Sequence, residues 1–377
     1  MLDLEGQALK LELFEIFRRG VDEPLPDHEF DRLARRVFEY QFRHNPPYAA
    51  YCRRRGRAPD AVTHWTEIPA VPTAAFKEVK LASGDASRAE AVFRTSGTTL
   101  GAERRGEHHI LDLSVYHASL LPNFAAYLLP EGSEMPMLSL VPPAAQMVDS
   151  SLAHMIALVV DRLGSPQSGY FASVGGGIDD EGLSQALRRF EEEGTPVCLL
   201  GTAFSFVHWT DRLRERGERF RLPPGSRLMD TGGFKGKSRE VPEEELRATY
   251  EELLGIPADH CVNEYGMTEM CSQFYDTVLR DRVRGVPPRP RRKVPPPWVR
   301  TLVVDAETLE PVPKGEVGIL RHIDLANLGS VIAVQTEDLG REVDEGFVVL
   351  GRAAGAPPRG CSIAMDLLLR AAEEGRR

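Results

Sequence analysis

A hydroxyl-rich loop lies about a quarter of the way along the chain, in the segment FRTSGTT that ends at Thr99. Glycine allows the backbone to approach a phosphate closely, and exposed N–H groups and hydroxyls can then bind the phosphate oxygens. An ordinary polar turn has the same composition, so the segment alone leaves both interpretations open. The candidate phosphate-binding residues are Thr95, Ser96, Gly97, Thr98 and Thr99.

A second candidate is the segment NEYGMTE, residues 263–269. The ring of Tyr265 can stack on a base, the hydroxyl of Thr268 can reach a phosphate, and the carboxylate of Glu269 can hold Mg²⁺. The residue pattern predicts a junction between a strand and a helix. The alternative is a capped helix start with Glu269 in its first turn, where a carboxylate is favoured by the helix dipole.

The segment LMDTGGFKGKS, residues 228–238, ends like a nucleotide-binding P-loop, but its spacing does not fit. The P-loop pattern requires a glycine five positions before Gly236. That position is occupied by Thr231, and the next helical pattern begins only near Pro242. We therefore reject a P-loop and retain Gly232 and Gly233 as positions where the backbone can approach a flat ligand.

A fourth polar segment, TEDLGR, covers residues 336–341 and is predicted to form a turn. Asp338 in such a turn can accept hydrogen bonds from ribose hydroxyls, and Arg341 can neutralise a phosphate. The alternative is a surface turn with an ion pair, which would stabilise the fold very little.

Composition excludes several classes of protein. The chain has 377 residues, 42% of them hydrophobic, and a net charge of −10, which argues against a broad nucleic-acid-binding surface. No apolar run reaches the ~18 residues needed to span a bilayer. The N-terminus lacks the layout of a secretion signal. The five cysteines form no CxxC pair, so we expect neither a disulfide framework nor a structural zinc site. This cysteine usage predicts a protein of the reducing cytoplasm.

The hydrophobic patterns predict an α/β fold. Residues 1–80 are mostly helical in pattern, and beyond them short apolar runs alternate with helical stretches, which favours a mostly parallel sheet covered by helices. Predicted strands are 137–141 and 197–204, and predicted helices are 151–163 and 182–193. The resulting division is a helical segment 1–80, an α/β core 81–298, a β-rich subdomain 299–352 and a short tail 353–377.

The order of the four segments adds information that none carries alone. TSGTT, TGGF, YGMTE and TEDLGR, followed by the GR at 351–352, resemble the adenylate-forming superfamily of acyl-CoA synthetases, non-ribosomal adenylation domains and firefly luciferase. The resemblance covers about 91–352 and implies the fold of that superfamily's large N-terminal domain. It also implies Mg²⁺ and ATP as ligands.

The resemblance assigns a role to each matching position. The hydroxyl loop from Thr95 to Thr99 would hold the ATP phosphates, and Gly232 and Gly233 would line the adenine pocket. In the YGMTE segment, Tyr265 would stack on adenine beside Gly266, Thr268 would touch the α-phosphate, and Glu269 would bind Mg²⁺. In the last segments, Asp338 would take the ribose hydroxyls, with Arg341 and Arg352 close by.

This sequence departs from the superfamily pattern in two places. Leu100 replaces the glycine that usually follows TSGTT, with Gly101 one position later. We also expect the mobile C-terminal domain to be truncated, together with the lysine that stabilises charge in the adenylation transition state. Lys235, Lys237 or Arg352 are candidates to replace that lysine.

Four longer segments resemble the LuxE-type acyl-protein synthetase family more closely: GTAFSFVHWTD, MDTGGFKGKSREV, NEYGMTEMCSQFYD and GRAAGAPPRGCSIAMDLLL. In that family a cysteine near the C-terminus takes the acyl group from the adenylate as a thioester, and Cys361 is at the matching place. The neighbouring Arg359 and a helix predicted to start at Ser362 would both lower a thiol pKa. The alternative is a small residue that caps this helix.

The resemblance therefore implies an acid–thiol ligase that makes acyl-AMP from a fatty acid and transfers the acyl group to Cys361. In the family the acyl group then passes to the reductase of bacterial bioluminescence. Two alternatives are a ligase that delivers acyl groups to coenzyme A or a carrier protein without a covalent stage, and a non-catalytic nucleotide-binding partner. A serine hydrolase is excluded because the chain contains no GxSxG segment.

Overall fold

The computed structural model describes residues 2–95, 105–232, 241–352 and 364–370. These residues divide into two compact units. The first unit is formed by Met1–Asn123, Met267–Gln273 and Arg292–Arg377, and the second by Phe124–Gly266 and Phe274–Arg291. The chain leaves the second unit at Gly266 and returns to it at Phe274.

The helices of the described residues follow one another along the chain, joined by strands and short 3₁₀ turns. They are α1 (Leu4–Arg19), α2 (Asp27–His44), α3 (Pro46–Arg54), α4 (Leu113–Leu128), α5 (Ser151–Leu163), α6 (Asp180–Glu193), α7 (Ala203–Arg216), α8 (Glu243–Leu254) and α9 (Val278–Val283). Residues 364–370 are also helical. None of these helices combines the length and the apolar character needed to cross a membrane.

The strands are short in the first half of the chain and longer towards the end. They are β1 (Val71–Pro72), β2 (Ala91–Arg94), β3 (Glu107–Ile110), β4 (Met137–Ser139), β5 (Gly169–Tyr170), β6 (Ala172–Ser173), β7 (Gly177–Ile178), β8 (Cys198–Thr202), β9 (Arg227–Thr231), β10 (Cys261–Tyr265), β11 (Phe274–Asp276), β12 (Lys293–Val294), β13 (Val299–Val304), β14 (Val317–Asp324), β15 (Ala333–Val343) and β16 (Gly346–Arg352).

The second unit is built on a parallel sheet in the order β11-β10-β9-β8-β4-β5. Every neighbouring pair from β10 to β5 is parallel, and β11 alone runs antiparallel to β10. Parallel strands require long crossovers, which α5, α6, α7 and α8 supply. The core includes Leu187, Phe206, Trp209 and Tyr250, which are fully buried with strand residues such as Leu199.

The first unit contains an antiparallel sheet in the order β13-β14-β15-β16-β12, with β1 parallel to β15. The hairpin of β2 and β3 is separate from this sheet. The helix α1 begins where the Asp3 carboxylate accepts a hydrogen bond from the Gly6 N–H at 2.9 Å. The helix α3 begins at Pro46, which follows the capping side chain of Asn45.

The α/β architecture confirms the predicted fold class, and several predicted elements agree closely with the structure. The helix predicted at 151–163 is α5, and the β-rich region predicted after residue 299 contains β13 to β16. The strand predicted at 197–204 is shorter, because Thr202 caps α7: its hydroxyl accepts from the Ser205 N–H at 3.0 Å. Ala203 and Phe204 therefore belong to the helix.

A buried carboxylate, that of Asp324, organises the loop of residues 267–273 within the first unit. Its Oδ2 accepts hydrogen bonds from the N–H groups of Cys271 at 3.2 Å and Ser272 at 2.9 Å. Its Oδ1 accepts from the Ser272 hydroxyl at 2.8 Å and the Ala326 N–H at 2.9 Å. Four donors therefore depend on one side chain that is fully shielded from water.

Replacing Asp324 by alanine should destabilise the protein, because these donors would lose a buried acceptor. We expect the free energy of unfolding at neutral pH to fall by about 3 kcal/mol or more, as measured by urea denaturation. Asp344→Ala is the matched control, since the Asp344 side chain is 94% exposed and pairs with Lys314 at the surface. This control variant should unfold at nearly the same urea concentration as the wild type, because surface substitutions of this kind change stability little. If both variants lost the same free energy of unfolding, the Asp324 carboxylate would not be the buried acceptor described above.

The same substitution should act more strongly in acid. Burial raises the pKa of Asp324 to about 6, although its hydrogen bonds act in the opposite direction. A carboxyl whose pKa is raised on folding contributes most to stability when protonated, and this contribution is lost as the pH rises towards 6. The stability difference between the wild type and Asp324→Ala should therefore be larger near pH ~4 than near pH ~7.

Candidate active site

Three of the predicted site residues lie at one edge of the sheet in the second unit. The strands β9 and β10 are parallel, and their register pairs Thr231 with Glu264. Gly232 follows the first of these residues, while Tyr265 and Gly266 follow the second, so all three lie at the carboxyl ends of neighbouring strands. In open α/β sheets this edge is where ligands bind.

The backbone at this edge is open to a planar ligand. Gly232 is exposed with a φ of +73°, which favours glycine, and among the described residues beyond its chain neighbours no heavy atom lies within 4 Å of a Cβ added there. The ring of Tyr265 is partly exposed and lies 5.7 Å from the Phe274 ring, at an angle of 34°. These features fit the roles expected for Gly232 and Tyr265 beside an aromatic base.

A carboxylate that the sequence analysis did not assign lies beneath this edge. Glu264 is 5% exposed and accepts a hydrogen bond from the hydroxyl of Thr231. Its carboxylate also contacts Gly266 so closely that a Cβ added to the glycine would collide with it. The feature of the sequence that could have indicated this carboxylate is an acidic residue within the strand segment, directly before the aromatic Tyr265.

The loop after Gly266 is not the start of a helix, so the predicted strand-to-helix junction is wrong. The chain turns at residues 268–269 and returns as β11, antiparallel to β10. A helix would need the backbone N–H groups that follow Glu269. Those of Cys271 and Ser272 instead donate to the side chains of Asp324 and Asn327.

Thr268 and Glu269 are carried by a loop whose backbone is fixed at consecutive positions. The carbonyl of Thr268 accepts a hydrogen bond from His108 Nδ1 at 2.8 Å. The carbonyl of Glu269 accepts from the Asn327 amide at 2.9 Å. Glu269 is only 7% exposed. Both main-chain carbonyls thus have hydrogen-bond partners within the first unit. These bonds fix the backbone positions from which the side chains of Thr268 and Glu269 project.

His108 is a neutral structural donor. Burial lowers its pKa to about 4, and the carbonyl of Thr268 requires that Nδ1 carry the proton. The imidazole also packs edge-on against Phe76, with ring centroids 5.7 Å apart. His108 comes from the HHI run that follows the hydroxyl loop, and no local feature of that run marks a partner 160 residues away.

The hydroxyl loop is closed at its base by the hairpin of β2 and β3. Thr95 N–H donates to the Gly106 carbonyl at 3.0 Å, and the Thr95 hydroxyl accepts from the Gly106 N–H at 2.9 Å. Arg105 Nε donates to the Thr95 carbonyl at 2.6 Å. Among the other predicted site residues, these lie outside the described residues: Ser96, Gly97, Thr98, Thr99, Gly233 and Cys361, as do Lys235 and Lys237.

The segment TEDLGR lies inside β15, so the predicted turn is wrong. The register between β15 and β16 shifts between Leu339 and Gly340, within this segment. The Thr336 hydroxyl donates to the Leu320 carbonyl at 2.8 Å and accepts from the Asp338 N–H at 3.0 Å. The backbone that carries Asp338 is therefore fixed from within the sheet.

The two strands bring Asp338 and Arg352 together. They are cross-strand partners, and Arg352 Nε lies 3.2 Å from Asp338 Oδ1. The arginine side chain is 60% exposed, so the pair contributes little to stability. Arg341 is exposed further along β15, opposite Val348 of β16.

The four described cysteines are buried free thiols: Cys52, Cys198, Cys261 and Cys271. Burial raises the pKa of each, that of Cys198 to about 12. A thiol reacts as its thiolate, so none of the four is suited to nucleophilic attack at neutral pH. Cys198 and Cys261 lie in the buried strands β8 and β10 and belong to the core.

Comparison with solved structures identifies the class of fold. The open conformation of 2-hydroxyisobutyryl-CoA ligase, in complex with 2-HIB-AMP and CoA, matches with a TM-score of 0.62 and 16% sequence identity. The match covers 88% of this chain and 71% of that one. The chain therefore has the fold of adenylate-forming enzymes, as its motif order predicted.

Sequence comparison then gives the family. The family described as acyl-protein synthetase, LuxE, matches residues 28–369, so the chain belongs to this family of ligases. The long-chain-fatty-acid–luciferin-component ligase of Vibrio harveyi is 23% identical over 91% of this chain and 89% of its own length. The corresponding ligase of Aliivibrio fischeri is 25% identical over 82% of this chain and 78% of its own.

Replacing His108 by glutamine should make stability less dependent on pH. A histidine whose pKa is lowered by folding costs stability as the pH falls from about 6.5 to about 4, because the unfolded chain takes up the proton first. Glutamine keeps an N–H donor for Thr268 but does not titrate. Urea denaturation across this range should show a smaller loss for the variant than for the wild type.

The exposed histidine of α2, His28, provides the matched control. His28→Gln should leave the free energy of unfolding at neutral pH close to that of the wild type, because an exposed side chain makes few contacts in the folded state. An unchanged pH dependence in His108→Gln would show that this imidazole is not buried and neutral.

Proposed function

We propose that this protein activates a fatty acid as an acyl-adenylate, with ATP and Mg²⁺, and then transfers the acyl group to its own cysteine. The observation that carries the proposal is the placement of Gly232, Tyr265 and Gly266 at the carboxyl edge of parallel strands. Family membership supports a ligase, and the names of the two relatives support a long-chain fatty acid as the substrate.

The described residues fit a bound nucleotide. Tyr265 would stack on adenine, for which the open backbone at Gly232 leaves space. The hydroxyl of Thr268 would bind the α-phosphate. Asp338 would accept the ribose hydroxyls in exchange for its weak pair with Arg352. The remaining proposed ligands of ATP are Thr95, Ser96, Gly97, Thr98, Thr99, Gly233, Gly266 and Arg341.

A magnesium ion fits a site with few protein ligands. Among the described residues no three His, Cys, Asp or Glu side chains converge as a protein-only metal site. Mg²⁺ prefers one or two carboxylates together with substrate phosphates, and Glu269 would provide the carboxylate. The ion would supply positive charge to the phosphates as pyrophosphate leaves.

The proposed reaction has two displacements. A carboxylate oxygen of the acid attacks the α-phosphorus of ATP, and the bond to the β-phosphate oxygen breaks to release pyrophosphate. The thiolate of Cys361 then attacks the acyl carbonyl, and AMP leaves with the electron pair of the mixed anhydride bond. The product is an S-acyl enzyme, whose acyl group we propose passes to a partner protein such as an acyl reductase.

The alternative to transfer onto Cys361 is direct transfer of the acyl group to another molecule. Coenzyme A or a carrier protein could take the acyl group from the adenylate without a covalent stage. The free thiols of the described cysteines are consistent with the reducing cytoplasm that we propose as the location.

Replacing Glu269 by glutamine should impair adenylation. The change keeps the size of the side chain, and the Asn327 hydrogen bond to the main-chain carbonyl of this residue is retained. We expect fatty-acid-dependent exchange between ATP and labelled pyrophosphate to slow by about a hundredfold or more, because the Mg²⁺ that would neutralise the phosphates loses a carboxylate ligand. Glu316→Gln, at an exposed position, should exchange like the wild type. Equal rates for both variants would remove Glu269 from the proposed site.

Replacing Cys361 by serine should separate the two displacements. After incubation with ATP and a radiolabelled fatty acid, the wild type should carry label on a denaturing gel, and hydroxylamine should release it as expected for a thioester. Cys361→Ser should lose the label and keep pyrophosphate exchange, whereas the neighbouring Ser362→Ala should keep both. Persistent hydroxylamine-sensitive label in Cys361→Ser would refute the covalent step.

A further inference from the structure

A buried carboxylate at the strand ends of the second unit has no part in the proposed chemistry. Glu264 is 5% exposed and lies on β10 directly opposite Thr231 of β9. Burying a carboxylate costs several kcal/mol unless polar partners compensate. One partner is the hydroxyl of Thr231, the residue that precedes Gly232.

The same carboxylate fixes the other strand end. Its Oε1 lies next to Gly266, in the space that a Cβ at this position would occupy, so a larger residue there would displace the carboxylate. Gly266 follows Tyr265 directly. A single side chain therefore contacts the residue before Gly232 and the residue after Tyr265, the two positions proposed to face the adenine ring.

We propose that Glu264 is a positioning residue for the nucleotide base. Through Thr231 and Gly266 it sets the spacing between the Gly232 backbone and the Tyr265 ring, so that the gap suits a planar purine before the ligand arrives. The inference rests on the proposed function, because it assumes that the base binds at this edge. Preorganised spacing improves affinity because less ordering is required on binding.

A second buried carboxylate, that of Asp230, provides a comparison with Glu264, because it is similarly buried but points to the opposite face of the sheet. Asp230, one residue before Thr231, is 8% exposed and accepts hydrogen bonds from the Asn263 amide at 2.7 Å and the Tyr250 hydroxyl at 3.1 Å. Successive side chains of a strand point to opposite faces. Asp230 thus joins the same two strands through the face that packs on α8.

The test compares nucleotide binding in Glu264→Ala, Glu264→Gln, Thr231→Val and Asp230→Asn. We expect the Kd for AMP, measured by isothermal titration calorimetry, to rise about tenfold in Glu264→Ala and Thr231→Val, equivalent to ~1.4 kcal/mol. The double variant Thr231→Val/Glu264→Ala should be no worse than either single one, because both break the same hydrogen bond. Glu264→Gln retains an acceptor and should bind AMP nearly as the wild type does.

Kinetics distinguish positioning from a general loss of structure. In Glu264→Ala the KM for ATP should rise while the KM for the acid stays the same. Asp230→Asn should lower the melting temperature without changing the Kd for AMP. An unchanged AMP affinity in Glu264→Ala, or an equal loss in Asp230→Asn, would overturn the inference.

Failure of the proposed function gives a different result. In that case the wild type itself would show no acid-dependent pyrophosphate exchange, whatever happens in the variants. Exchange by the wild type together with unaltered AMP binding in Glu264→Ala would refute only the role of Glu264.

Discussion

The fold of the candidate site depends on one buried carboxylate, that of Asp324. Four donors converge on it, and two of them are consecutive N–H groups of the loop that carries Thr268 and Glu269. These N–H groups lie where the sequence pattern predicted a helix, and a side-chain carboxylate accepts from them instead. The carboxylate thus selects a loop over a helix, and burial makes that selection strong because no water can replace a missing acceptor.

The two units use carboxylates in the same physical way. In the first unit Asp324 holds a loop, and in the second Glu264 holds two strand ends. Neither is placed to react. A neutral contact has the same effect on the loop, since the His108 imidazole donates to the Thr268 carbonyl. Contacts that fix a backbone before the ligand arrives reduce the ordering that a reaction requires.

The sequence predicted what depends on local pattern or on the order of motifs. The periodicity of 151–163 is that of α5, and the order of four short segments gave the class of fold. It did not predict what depends on distant partners. Asp324 acts on Ser272, 52 residues away, and no local feature marks that contact. The turn expected at Asp338 failed for a related reason: its residues are paired with β16 in an antiparallel ladder whose register shifts between Leu339 and Gly340, and this pairing partner lies outside the segment.

The burial of four thiols bears on the acyl acceptor. The chain has five cysteines, and burial raises the pKa of the four that the structure describes. Attack on an acyl-adenylate needs a thiolate that can reach a carbonyl, which a core thiol cannot do. Of the five cysteines, Cys361 is therefore the one that we propose as the acyl acceptor. In the sequence it follows Arg359 and Gly360, and a neighbouring arginine favours the thiolate.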